Sequence, residues 1–197
     1  MSWFEDWFDS KYYHILYKNR DNKEAQFFIN NIVKKLQLPT RSKIIDIACG
    51  KGRHANYLNS LGFNVVGIDL SKNSISKAKI NEKGTLKFYV HDMRETYAEN
   101  SFDVALNLFT SFGYFSDKSD NQRAIQSMAN NLKTGGYLII DFMNVKKVIS
   151  DLVTHEKKII DGITFNIVRE VEKNYIIKKI SFNDRGKDYS FQEKVEV

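Results

Sequence analysis

Cysteine and proline are almost missing from these 197 residues, which hold one of each, Cys49 and Pro39. A single thiol excludes an internal disulfide and any multi-cysteine metal site, so no metal is expected; inside a glycine turn it reads as a small buried residue. No apolar run approaches the roughly 20 residues that span a bilayer. Met1 to Tyr17 is aromatic and acidic, without the uncharged stretch of a signal peptide, so the expected location is the cytoplasm and no membrane partner is expected. Runs of five or more basic residues are also lacking. The formal charge is +6, yet Lys34-Lys35, Lys146-Lys147, Lys157-Lys158 and Lys178-Lys179 are isolated pairs. They read as solvated faces rather than a nucleic-acid surface. Neither Asn107-Leu108-Phe109-Thr110 nor Asn144 to Lys147 carries the Asn/Asp-Pro-Pro-aromatic motif of enzymes that act on a flipped base.

What is present is an ordinary 42% hydrophobic content, sufficient for the core of one domain. Aromatics crowd the first twenty residues, with Trp7, Phe8, Tyr12, Tyr13 and Tyr17 needing a surface to cover. Apolar spacing predicts a helix from Asn22 to Leu36. The β-branched run Ile44 to Ile47 predicts a buried strand that enters the turn Gly50-Lys51-Gly52. Ala55, Leu58 and Leu61 predict the inner face of a helix stopped by Gly62, and Asn64 to Leu70 a second strand. Ser71 caps a helix with Ile75, Ala78 and Ile80 inward; Leu86 to Val90 is a third strand and Phe102 to Leu108 a fourth. A helix from Lys118 to Leu132 precedes a fifth strand, Tyr137 to Phe142. Strands alternating with helices predict a doubly wound, mostly parallel sheet that binds ligand beyond the carboxyl ends of its strands. The residues there are Cys49 to Gly52, Asp69, His91 to Met93, Asn107 to Phe115 and Asp141 to Asn144. After Lys147 the segments Thr164 to Val171, Tyr175 to Ser181 and Tyr189 to Val197 predict an antiparallel meander.

Gly50-Lys51-Gly52-Arg53-His54-Ala55 satisfies G-x-G-x-x-G/A, and Asp69 at the end of the next strand suits the hydroxyls of an adenosine ribose. That much serves a nicotinamide cofactor and S-adenosylmethionine equally. Asp46 favours the second: a pyrophosphate gains nothing from a carboxylate before the glycines, whereas a sulfonium and an ammonium do. Asp92-Met93, after the third strand, can read an adenine edge.

With these residues in order the chain resembles the class I S-adenosylmethionine-dependent methyltransferases over about Tyr12 to Phe142. The matching stretches are Asp46-x-x-Cys49-Gly50-x-Gly52-Arg53-His54-Ala55, Val66 to Ser71, Asp92-Met93-Arg94, Phe102-Asp103-Val104 with Asn107 to Phe115, and Leu132-Lys133-x-Gly135-Gly136-Tyr137-Leu138. The aromatic continuation through Phe112-Gly113-Tyr114-Phe115 is similar to bacterial small-molecule methyltransferases with an antiparallel lobe after strand five. The resemblance implies an α/β, Rossmann-like fold: residues 1–147 a cofactor-binding core with an N-terminal helical lid, and 148–197 an antiparallel β lobe, or a substitute for the last sheet strands, in the same domain. It implies a methionine end against Ala48, Gly50 and Gly52 with Asp46 nearby and Asn107 offering its carbonyl to the amine. Asp69 would take the ribose, Leu70 pack on the adenine, and Asp92 and Met93 read its edge. Tyr12, Tyr17 and Arg20 would close over the methionine carboxylate.

The implied reaction is in-line methyl transfer to a small-molecule N or O nucleophile, leaving S-adenosylhomocysteine. The sulfonium is already activated, so a base is optional for a neutral amine and more useful for a hydroxyl. The candidates are His54, Tyr114 and His14, with His91, which alternates away from Asp92, read as structural, and Phe112, Tyr114 and Phe115 as a cradle for the acceptor. Two alternatives stay open. Tyr114-x-x-x-Lys118 has the spacing of the NAD(P)-dependent short-chain oxidoreductases. A non-catalytic or truncated S-adenosylmethionine-binding module is the other, because the sheet then stops at five strands. An edge left open in that way would need a partner, and a homodimer would supply one.

Overall fold

The computed structural model describes residues 3–18, 22–115 and 117–197. Its contacts divide the chain into two units, Arg20–Phe142 and Met1–Asn19 with Met143–Val197. Two short helices come first, α1 (Trp3–Phe8) and α2 (Lys11–Leu16), the latter capped by Ser10, whose side chain accepts from the Tyr12 N–H. Both belong to the second unit.

In the first unit the chain runs α3 (Asn22–Leu36), β1 (Lys43–Ile47), α4 (Arg53–Ser60), β2 (Asn64–Asp69), α5 (Lys72–Ala78), β3 (Leu86–Val90), β4 (Phe102–Asn107), α6 (Lys118–Asn130) and β5 (Leu132–Ile140). All four strand pairings are parallel, in the order β3-β2-β1-β4-β5. That order turns back on itself between β1 and β4, and in such sheets the ligand crevice opens at the carboxyl ends of the strands flanking the reversal. Helical and strand apolar positions meet in one core that includes Ile29, Ile44, Leu58, Ile75, Phe88, Val104 and Leu106.

Three expectations are corrected within this unit. Leu61 is the C-cap of α4 and stands 37% exposed, and Ile80 lies in a 3-10 turn at 83% exposure, so neither continues the inner face of its helix. Strand β5 begins at Leu132, not Tyr137. The Gly135-Gly136 pair sits inside β5, where the register jumps from Phe102↔Leu132 to Val104↔Tyr137. Gly135 takes φ +82, and a Cβ on Gly136 would lie 3.0 Å from the Lys133 carbonyl, so the pair permits a bulge rather than opening a strand.

The second unit continues with α7 (Val145–Ser150), β6 (His155–Ile160), β7 (Ile163–Glu172), β8 (Tyr175–Asp184) and β9 (Lys187–Glu196), the strands forming an antiparallel sheet in sequential order. Here α7 and β6 are additions to the expected meander. The side chains of Trp7, Tyr12 and Leu16 pack with Ile163, Phe165, Ile167, Ile180 and Phe182 in a core of their own. Residues 3–18, expected as a lid, thus cover one face of the antiparallel sheet. Among the described residues no helix is long and apolar enough to cross a membrane.

Candidate active site

The loop after β1 alternates into left-handed backbone at Ala48 (φ +61), Gly50 (φ +56) and Gly52 (φ +78). Gly52 has a second constraint, since a Cβ there would lie 2.5 Å from the ring of Phe88; no other residue fits. A Cβ on Gly50 would meet nothing within 4 Å, so this part of the loop faces open space. Asp69 fixes the loop from the end of β2: its Oδ2 accepts from the Gly50 N–H at 2.8 Å and its Oδ1 from the Ser71 N–H at 2.8 Å.

Asp46 lies inside β1 at 1% exposure, and its Oδ2 is buried without a hydrogen-bond partner. Burial and the charge of Asp69 push the carboxyl up to about 7, against the opposing effects of the Ala55 N–H and the Arg53 charge. Asn107, at the end of β4, is wholly buried; its Nδ2 donates to the Ile47 carbonyl at 3.1 Å and its Oδ1 accepts nothing. Two unsatisfied oxygens thus sit at the ends of the two strands that flank the reversal. Buried oxygens of this kind are costly unless a donor or a cation reaches them.

His54 lies in the first turn of α4, 6% exposed, stacked on Phe109 with centroids 5.0 Å apart. Arg53 places its guanidinium 4.2 Å from the same ring and pairs with Glu24 at 2.9 Å. Burial and the Arg53 charge push the His54 imidazole down to about 3, and its Nε2 has no hydrogen-bond partner. A ring held neutral so firmly is a weak proton acceptor near pH 7.

Phe109 and Thr110 adopt φ +59 and +53, and Asp141 at the end of β5 holds them there. Its carboxylate accepts from the Phe109 N–H at 2.9 Å, its carbonyl from the Thr110 N–H at 3.1 Å, and its own N–H donates to the Asn107 carbonyl at 2.9 Å. The Tyr114 hydroxyl donates to the Thr110 carbonyl at 2.6 Å. Phe112 and Tyr114 are half-buried and Phe115 is buried. After β3, Asp92 is bound by Arg94, while Leu70 is 37% exposed and Met93 half-buried.

The structure therefore gathers Asp46, Ala48, Gly50, Gly52, Asp69 and Asn107 around one loop, with His54 in the helix that leaves it. Tyr12, His14 and Tyr17 lie in the second unit. There the Tyr12 hydroxyl donates to Asp184 at 2.8 Å, the Tyr17 hydroxyl to Glu193 at 2.7 Å, and His14 meets the Tyr13 ring edge-on. Arg20 lies outside the described residues. The roles of Asp141 and Arg94 were not read from the sequence: Asp141 holds Phe109 and Arg94 joins Asp92 to Asp120, pairings between segments distant in the chain, and only an acidic residue beyond a strand end hinted at the first.

A family model described as a methyltransferase domain matches residues 40–192. The chain belongs to the methyltransferase-domain family. The chain is 34% identical over 114 residues to the putative methyltransferase YqeM of Bacillus subtilis (strain 168), a match covering 56% of this chain and 46% of that protein. It is 25% identical over 103 residues to the dTDP-3-amino-3,4,6-trideoxy-alpha-D-glucopyranose N,N-dimethyltransferase of Streptomyces venezuelae, covering 52% of this chain and 43% of that one. The matches thus span about half the length of these curated relatives. A solved S-adenosylmethionine-dependent methyltransferase from Clostridium acetobutylicum ATCC 824 superposes with a TM-score of 0.74 at 22% identity, over 94% of this chain and 78% of that chain. At that identity the likeness shows the fold.

S-adenosylmethionine is the cofactor of the family, and the residues around the glycine loop fit it. A sulfonium and an ammonium would answer the unsatisfied oxygens of Asp46 and Asn107, and the open side of Gly50 leaves room beside them.

Proposed function

We propose that the chain transfers a methyl group from S-adenosylmethionine to a small-molecule N or O nucleophile, with an amine as the favoured acceptor. The observation that carries the reading is the buried, unpartnered Oδ2 of Asp46 behind a glycine loop that Asp69 ties down. A phosphate at that loop would meet a carboxylate of like charge, which argues against a nicotinamide dinucleotide. The preference for an amine rests on the Streptomyces venezuelae relative, whose name describes N,N-dimethylation of an amino sugar.

In this reading Ala48, Gly50 and Gly52 line the methionine end, Asp46 and Asn107 face its cationic groups, and Asp69 takes the ribose. Leu70 packs on the adenine, Asp92 accepts from its amino group, and the Met93 N–H meets the neighbouring ring nitrogen. When bound, S-adenosylmethionine supplies an electrophilic methyl on a sulfonium. The protein's part is to orient and to exclude water, and well-oriented reactants gain about 7 to 11 kcal/mol from that alone. Phe112, Tyr114 and Phe115 form the apolar wall for the acceptor. His54, held neutral, stacks on Phe109 and orients that wall rather than taking a proton.

Calorimetry with S-adenosylhomocysteine and NADH tests the reading: the first binds and the second does not, and the reverse would overturn it. Asp69→Ala weakens S-adenosylhomocysteine at least about tenfold, or about 1.4 kcal/mol. Incubating a small-molecule extract with labelled cofactor then identifies the acceptor through the labelled product.

A further inference from the structure

Arg94 touches no group assigned to the cofactor except Asp92, and it holds that residue through several hydrogen bonds. Its Nη2 donates to Asp92 Oδ2 at 2.6 Å, its Nε reaches both carboxylate oxygens at 3.1 Å, and its backbone N–H donates to Oδ1 at 2.9 Å. The remaining arm, Nη1, donates to Asp120 Oδ2 in the first turn of α6 at 2.7 Å, and the guanidinium lies 4.9 Å from the Phe115 ring. Asp120 is itself held by Arg123 at 3.0 Å. A planar fork fixed at both ends allows the Asp92 carboxylate little rotation.

The position of Asp92 is fixed as well as its orientation. The His91 N–H donates to the Asp69 carbonyl at 3.0 Å, which sets the start of the Asp92 segment against the residue assigned to the ribose. The His91 Nδ1 lies 2.8 Å from the Asp92 carbonyl on the other side. Burial raises the Asp92 carboxyl, but the Arg94 hydrogen bonds and charge, with the His91 charge, bring it below the usual carboxylate range. At neutral pH it is an acceptor only.

A fixed acceptor discriminates between purines. Adenine offers a 6-amino donor, whereas hypoxanthine offers a carbonyl oxygen there and an N–H at the neighbouring ring position. A carboxylate free to turn could satisfy either base. One locked in place would set oxygen against oxygen with hypoxanthine.

We propose that Arg94 is a positioning residue: by locking the Asp92 carboxylate between the β3 end and α6, it sets selectivity for a 6-aminopurine at the cofactor site. This rests on the cofactor reading above. The test is calorimetry of the full chain, wild type and Arg94→Lys, with S-adenosylhomocysteine and with S-inosylhomocysteine, folding being checked by circular dichroism. Lysine keeps the charge and loses the fork. The wild type prefers the adenosyl ligand; Arg94→Lys loses at least about tenfold on it and less than about threefold on the inosyl ligand, so the selectivity collapses. A purely structural role would lower the melting temperature and leave the ratio unchanged. A folded Arg94→Lys with wild-type selectivity, or an equal loss on both ligands, would overturn the proposal. Should Arg94→Lys not fold, Asp120→Asn removes only the second anchor. A selective loss of about threefold supports the proposal, and unchanged selectivity refutes it. A wild type that binds neither ligand overturns the cofactor reading itself, an outcome separate from these.

Discussion

Asp46 carries a carboxyl whose folded value, about 7, stands well above its ordinary 3.8, first because of burial and second because of Asp69. Between those two values the folded chain holds a proton that the unfolded chain has released. Stability from this group is therefore complete below about pH 4 and is lost as the pH rises through about 7, by an amount on the order of 4 kcal/mol. A bound sulfonium or ammonium reverses the preference, because it favours the ionised carboxylate. Thermal melts of the ligand-free chain should thus fall in midpoint between about pH 5 and 8, and Asp46→Asn, which cannot ionise, should flatten that slope. Equal slopes in the two proteins would show that Asp46 is already ionised in the free state. The same substitution should weaken S-adenosylmethionine more at pH 8 than at pH 6, since only the ionised wild type attracts the cation.

The segment after β4 is an element under strain. Two bulky residues in succession, Phe109 and Thr110, occupy left-handed backbone at about 1–2 kcal/mol each. Stacking against His54 and Arg53 and the Asp141 hydrogen bonds offset that cost. Asp141→Ala removes the carboxylate bond to Phe109 and leaves the backbone bonds, so about 1.5–3 kcal/mol of stability should go with it. Hydrogen exchange should quicken across residues 109–115 while the amides of β1 and β2 keep their protection; uniform quickening would mean that Asp141 supports the sheet rather than this segment. Strands of this kind explain what the sequence could reveal. Ile44 to Ile47 and Phe102 to Leu108 are mainly apolar runs interrupted by Asp46, Asp103 and Asn107, as suits parallel strands covered on both faces, and the interruptions at Asp46 and Asn107 fall near the strand ends. Strand β6 was unreadable because Glu156, Lys157 and Lys158 in its middle suit an edge and break the apolar pattern, and α7 because it buries no residue. The start of β5 was hidden by a glycine pair that normally marks a turn. In the site, Asp69 and Gly50 were legible from spacing along one β-turn-α unit. Arg94 to Asp120 and Asp141 to Phe109 are pairings across the fold, which no local pattern encodes.

Across the whole molecule the two sheets protect their edges unequally. In the antiparallel sheet, β6 presents His155, Lys157 and Lys158, and β9 presents Lys187 and Lys194, charges that discourage a further strand. In the parallel sheet β3 is five residues long with Lys87 near its centre. Strand β5 has none of these defences after Lys133: among the described residues it pairs only with β4, runs for nine residues, and leaves Tyr137 51% exposed with Leu138, Ile139 and Ile140 half-buried. Two β5 edges meeting would satisfy each other's backbone groups. The net charge of +6 opposes that meeting, and salt screens it, with a Debye length of about 10 Å at 0.1 M. Light scattering should accordingly find a dimer whose share grows as salt is raised from about 0.05 to 0.5 M. Tyr137→Lys places a cation on the edge and should return the monomer with its fold and S-adenosylhomocysteine affinity intact. A wild-type monomer throughout that range would mean that β5 is no interface, and a Tyr137→Lys dimer would move the contact elsewhere on the surface.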